Sequence, residues 1–152
     1  MLPYDDLLSD LRGLFDGERD PVANAANAAA TIWQHLPDIN WAGFYFLKRG
    51  ELVLGPFQGK PACVRIAMGA GVCGAAAARR QTVVVEDVHA FPGHIACDAA
   101  SNSEIVVPLV RRGRLVGVLD VDSPNRGRFG EDDRVGCEAV AGLYVRSLDG
   151  LP

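Results

Sequence analysis

Apolar positions along the chain change period several times, and each change marks an element. Over residues 3–15, Leu7, Leu8, Leu11, Leu14 and Phe15 recur at helical spacing, and Gly17 ends the run. Asp20 before Pro21 has the form of an N-cap and a first helical residue, which predicts an alanine-rich second helix to Leu36 that Pro37 stops. The period then shifts. WAGFYFLK and ELVLGPF, from Trp41 onward, read as two strands joined at Lys48-Arg49-Gly50, their alternation blurred enough to predict cover on both faces. A short strand over residues 62–67, a turn at Gly69-Ala70-Gly71 and a close-packed helix of small side chains over residues 72–80 come next. TVVVEDV reads as a further strand, and EIVVPLV and RLVGVLDVDS as a hairpin about Arg111-Arg112-Gly113. Residues 131–148 read as a closing helix with Val135, Ala139, Val140 and Leu143 on one stripe.

Helices at both ends and mostly antiparallel strands between them predict an α/β fold, a single domain over residues 1–152 with one central sheet covered by helices. A chain of 152 residues can bury a core of its own. No repeat or low-complexity segment interrupts it.

Composition changes this picture little, mainly by exclusion. Net charge is −4, which gives no electrostatic footprint for nucleic acid or an anionic membrane. No apolar stretch approaches the ~20 residues of a membrane helix. The N-terminal MLPYDDLLSDLRG carries acids where a secretory leader carries lysine and arginine, so a cytoplasmic address is expected, where thiols are kept reduced. Four cysteines, Cys63, Cys73, Cys97 and Cys137, form no CxxC or CxxH pair and no zinc-like cluster. Inert core thiols and redox chemistry both remain open on these grounds.

One stretch, PGHIACDAASNSEIVVPL, favours chemistry. Cys97 stands in a polar loop rather than in the apolar run that follows, where buried cysteines usually lie. That loop, residues 87–102, is longer than most connections in compact domains and is of the length that carries function. His89 and His94 fall in it and read as loop-stabilising or exposed residues rather than as ligands or a base for Cys97. Glu104 opens the next strand, and Asp120 and Asp122, two apart, point to one side at the end of the last. A three-residue hairpin loop over residues 111–113 sets Glu104 opposite Asp120 and gathers three carboxylates beside Cys97, whereas a two-residue loop turns Glu104 to the other face. Carboxylates so close raise one another's pKa, so one keeps a proton near neutrality, and the group suits a cationic ligand. Taken alone, Asp122 also fits a solvated strand end before the turn DSPNRG.

The segments NWAGFYFL, LGPFQGKPAC, GAGVCG, EDVHAFPGHIACDAASNSEIVVPL and GVLDVDSPNRGRF together resemble the free methionine-(R)-sulfoxide reductases, small enzymes built on a GAF fold. The resemblance runs over residues 40–133 and implies a GAF-like domain that reduces free L-methionine (R)-S-oxide. It implies Cys97 as nucleophile, Cys63 as resolving partner and Cys73 in the same site. Glu104, Asp120 and Asp122 match the family's substrate-binding and proton-donating carboxylates, and Trp41 matches an aromatic wall for the substrate methyl. A thioredoxin-like reductant and a homodimer are implied as partners. Cys137 matches no motif and reads as a core residue. The rival reading is a GAF binding module that senses a small molecule or oxidant; a third is an inert relic with cysteines kept for packing.

The residues suit that chemistry. A sulfoxide sulfur is electrophilic, but its oxygen leaves only once protonated, so reduction needs a thiolate at sulfur and an acid at oxygen. Cys97 supplies the first and Glu104 or Asp120 the second. The sulfenic acid left on Cys97 condenses with a second thiol to a disulfide, which an external dithiol reduces. No metal, flavin or nicotinamide need bind. Asp120 and Asp122 are expected to hold the substrate ammonium, and backbone amides over residues 98–103 its carboxylate.

Overall fold

The computed structural model describes residues 4–95, 97 and 100–152. Helix α1 (Asp5–Phe15) buries Leu7, Leu11 and Phe15, and α2 (Pro21–His35) begins where an Asp20 carboxylate oxygen accepts from the Ala23 amide at 2.8 Å. Strands β1 (Trp41–Lys48), β2 (Glu51–Gly59) and β3 (Arg65–Ala67) lead to α3 (Gly71–Arg79). Strand β4 (Val83–Val85), a single 3-10 turn (Val88–Ala90), β5 (Ser103–Arg111), β6 (Arg114–Ser123) and α4 (Glu131–Leu148) complete the chain. The strands form one sheet in the order β3-β2-β1-β6-β5-β4, each neighbouring pair antiparallel. Among the described residues no helix is long and apolar enough to cross a membrane.

Both sheet faces are covered, which is why the alternation in β1 is blurred. Ala42 and Phe44 point to a layer formed by α1, α2 and α4, where they meet Leu11, Ile32, Val140 and Tyr144. Trp41 and Tyr45 point to the opposite face, where α3 and the long loops lie over Val106 and Val118. The predicted α/β sheet with terminal helices is therefore the observed fold. Three boundaries differ. The strand expected over residues 62–67 begins only at Arg65, TVVVEDV is extended only over Val83–Val85, and the loop after it contains the 3-10 turn. Val135 is 55% exposed, so the buried stripe of α4 runs instead through Cys137, Val140, Tyr144 and Leu148, with Cys137 in the core as expected.

The hairpin corrects the register argument. Arg111 pairs with Arg114, so the turn is the two-residue Arg112-Gly113, with φ of 51° and 77° as a type I′ turn requires. Alone, that turn would put Glu104 on the helical face. A bulge intervenes: Val110 pairs with Leu115 but Leu109 with Gly117, leaving Val116 as the extra residue. One residue added to β6 restores the parity, so Glu104 shares a face with Asp120 and Asp122, and its direct partner is Asp122 rather than Asp120. Beside the bulge, β6 passes close to β1. A Cβ at Gly117 would lie 2.1 Å from the Tyr45 carbonyl oxygen. Gly117→Ala is therefore expected to destabilise the fold by roughly 3 kcal/mol, read as a lowered midpoint in urea denaturation.

Candidate active site

The ends of three central strands meet under the N-terminal turn of α3. Asp120 and Asp122 arrive from β6, Glu104 from the start of β5, and Trp41 and Tyr45 from β1, with Gly43 directly opposite Asp120 and Trp41 opposite Asp122. Helix α3 descends on them because its first seven residues are small or slender, and all of them are buried. Gly74 is required there: a Cβ would stand 2.5 Å from the Ala67 carbonyl. That close approach brings the Cys73 thiol to 3.4 Å from Asp120 Oδ2 and 3.9 Å from Glu104 Oε2. Long side chains on this helix would have kept the thiol away from the acids.

Cys73, Glu104 and Asp120 are all buried, and burial dominates their ionisation. Glu104 is pushed well above the usual carboxylate range, first by burial and then by the charge of Asp120. Asp120 is raised in the same direction by burial and by Asp122. Burial, then Asp120 and Glu104, lifts the Cys73 thiol. All three groups are thereby biased toward their protonated forms, the direction in which the three-acid reading points. Asp120 Oδ1 is buried with no hydrogen-bond partner among the described residues. One sulfur and two carboxylate oxygens of Cys73, Glu104 and Asp120 lie within 4.8 Å of one another, a set that can ligate an ion. A metal there would compete with protons, toward which burial biases all three groups.

Cys97 lines the pocket and is joined to Cys63 by a disulfide, with the two Cα atoms 5.4 Å apart. Cys73 and Cys137 are free and buried. The pocket is lined by Trp41, Tyr45, Cys73, Cys97, Glu104, Asp120 and Asp122 among others. All candidate side chains from separate stretches of the sequence thus converge, Cys63 through its bond to Cys97. Of the loop suggested for the substrate carboxylate, Asp98 and Ala99 lie outside the described residues, while Ser101 lines the pocket. His89 does stabilise its loop, with Nε2 at 3.0 Å from Asn102 Oδ1. His94 reaches the pocket, and partial burial and His89 lower its pKa, which favours the neutral ring.

Tyr45 went unremarked in the sequence. Its signal was the spacing from Trp41, four residues along one strand and hence on the same face. Its ring stacks on that of Trp41 at 5.9 Å, and its hydroxyl donates to the Cys63 carbonyl at 2.9 Å.

Residues 21–149 match the GAF domain family, the class to which the curled antiparallel sheet and its terminal helices belong. Within that class the chain is 58% identical to the free methionine-R-sulfoxide reductase of Escherichia coli over 145 residues, 95% of this chain and 88% of the relative. It is 45% identical to the Saccharomyces cerevisiae protein of the same name, over 93% of this chain and 83% of that one. The crystal structure of the free methionine-R-sulfoxide reductase of Neisseria meningitidis with its substrate superposes with a TM-score of 0.93 at 44% identity, covering 97% of this chain and 89% of that one. The chain belongs to the free methionine-R-sulfoxide reductase family, a family of oxidoreductases.

Proposed function

We propose that this protein reduces free L-methionine (R)-S-oxide to L-methionine by a thiol mechanism. The observation that carries the reading is the disulfide joining Cys63 to Cys97 in a pocket that Cys97 lines together with a buried acid cluster biased toward its protonated form. Cys97 attacks the sulfoxide sulfur while Glu104 delivers a proton to its oxygen. Methionine leaves, and Cys97 remains as a sulfenic acid. Cys63 condenses with it, water departs, and a thioredoxin-like dithiol reopens the disulfide in a reducing cytoplasm. Asp120 and Asp122 hold the substrate ammonium, for which Asp120 Oδ1 offers an unpartnered acceptor. Trp41 receives the methyl group. Cys73 supports the acids as a thiol: burial and two carboxylates oppose the thiolate it would need to attack. The bound ammonium offsets the negative charge that otherwise opposes ionisation of Cys97.

The test is NADPH oxidation coupled through thioredoxin and its reductase, with the R and S diastereomers of free methionine sulfoxide offered separately. Turnover of R alone is expected, with loss of two thiols per protein when the reductant is omitted. N-acetylation of the substrate removes the ammonium and is expected to abolish turnover; normal activity on that derivative would refute an enclosed amino-acid site. No turnover of either diastereomer by folded, reduced protein would favour a small-molecule binding module.

A further inference from the structure

Cys63 lies in residues 60–64, a segment without regular structure between the last residue of β2 and the first of β3. The cycle proposed above needs its sulfur at bonding distance from Cys97 once per turnover, and a loose segment would deliver it rarely. Three carbonyls of this segment are held. Lys60 O accepts from Trp41 Nε1 at 3.1 Å, Cys63 O from the Tyr45 hydroxyl at 2.9 Å, and Val64 O from the Leu54 amide at 2.9 Å. Of these three bonds, the one from Tyr45 falls on the cysteine itself.

Its donor is rigidly placed. Tyr45 is 2% exposed and stacks on Trp41, and Trp41 in turn stacks on Phe57 at 5.2 Å with 14° between planes. Glycines fix the pile from the sides, since a Cβ at Gly43 or Gly59 would come within 2.8 Å of the Trp41 ring. Burial, with the acid cluster nearby, drives the Tyr45 pKa upward, so the phenol remains a donor throughout the working pH range. The stack therefore has two duties: one side lines the pocket and its edge grips the Cys63 segment.

We propose that Tyr45 is a positioning residue for the resolving thiol: by holding the Cys63 carbonyl, its hydroxyl sets the Cys63 sulfur against Cys97 and speeds disulfide closure. The inference rests on the reductase reading and adds a residue to its second half. In the step concerned, the Cys63 sulfur attacks the Cys97 sulfenic sulfur. The S–S bond forms, the S–O bond breaks, and the departing hydroxide takes the Cys63 proton and leaves as water. Tyr45 exchanges no electrons or protons in it.

The test compares Tyr45→Phe, which keeps the ring and removes the hydroxyl, with Tyr144→Phe. Tyr144 is also buried, and its hydroxyl donates to the Pro21 carbonyl at 2.9 Å in the helical layer on the other sheet face. The first readout is the equilibrium of the Cys63–Cys97 disulfide in a dithiothreitol redox buffer, which requires no sulfoxide. Closure is expected to weaken about tenfold in Tyr45→Phe, making the disulfide easier to reduce by about 30 mV, with Tyr144→Phe at the wild-type value. The second is single-turnover reaction with free methionine (R)-sulfoxide, where the ratio of disulfide-closure rate to methionine-formation rate is expected to fall about tenfold and sulfenic acid to become trappable by dimedone. An unchanged potential and ratio in Tyr45→Phe would overturn the proposal, as would equal shifts in both variants, which mark a general loss of stability. If wild type forms no methionine, the reductase reading fails, while the redox equilibrium still decides whether Tyr45 positions the thiol.

Discussion

Cys97→Ser is expected to lower turnover of free methionine (R)-sulfoxide by roughly 10³-fold or more, because the step that breaks the S–O bond loses its nucleophile. Cys63→Ser should behave differently. It retains Cys97 and the acid cluster, so reduced protein should release one methionine per chain and then stall with Cys97 as a sulfenic acid. Measured on reduced protein, where neither variant nor wild type carries the cross-link, the contrast is not a difference in stability. Quantifying methionine after rapid mixing, together with dimedone labelling, separates the two. A burst from Cys97→Ser, or none from Cys63→Ser, would reverse the assignment of the pair. Cys73→Ser provides a third comparison: its thiol touches the acids and is far from ionising, so a stoichiometric burst should survive.

The second large effect lies in the acids. Glu104→Gln removes the proposed proton donor and is expected to lower kcat by about 10²- to 10⁴-fold. The wild-type rate should fall as pH rises through the raised pKa of the cluster, and this alkaline limb should be absent from the residual activity of the variant. Stability should also fall as pH rises, and here the substitutions should raise it rather than lower it. Both Glu104 and Asp120 have folded-state pKa values raised above their unfolded ones, so the native state binds more protons across the window between them. Their contribution is therefore complete below the unfolded carboxylate values of about 4 and is lost as pH rises through the folded values. Glu104→Gln and Asp120→Asn remove a charge that burial penalises, and at pH 8 each should melt higher than wild type by about 3 °C or more, with the gap closing toward pH 4. A variant that melts lower at pH 8 and keeps its activity would show that the acid was ionised and serving only to hold the fold. A site kept at the expense of stability is what function-bearing buried charge predicts.

Element types were largely legible along the chain because local rules carry them. Asp20-Pro21 starts α2 by capping chemistry, Gly17 and Pro37 stop helices, and the run from Glu131 shows helical spacing over five turns' worth of residues. Short elements were read less well. Arg65–Ala67 and Val83–Val85 are edge strands of three residues, and their extent depends on how far a neighbour pairs with them rather than on their own composition. Val135 misled for a related reason, since periodicity gives a stripe but the packing of α1 and the sheet against α4 decides which edge of it is covered.

The site shows the same division more sharply. Its chemical components, a thiol in a polar loop and carboxylates at strand ends, could be picked out residue by residue, because residue type and period-two alternation are properties of the chain itself. Their meeting was expected from a three-residue turn and from the family resemblance, and the structure reaches it by a different register. Glu104 faces the right side only because a bulge at Val116 cancels the displacement of a two-residue turn, and an extra residue in one strand leaves no mark in the hydrophobic pattern. The grip of Tyr45 on the Cys63 carbonyl, and the descent of Cys73 onto Asp120, join positions 18 and 47 residues apart. Contacts of that range follow from how the sheet and α3 pack, where close approach through glycines and alanines sets distances to a few tenths of an ångström. Local propensity selects the elements; only their packing brings a sulfur within reach of a proton.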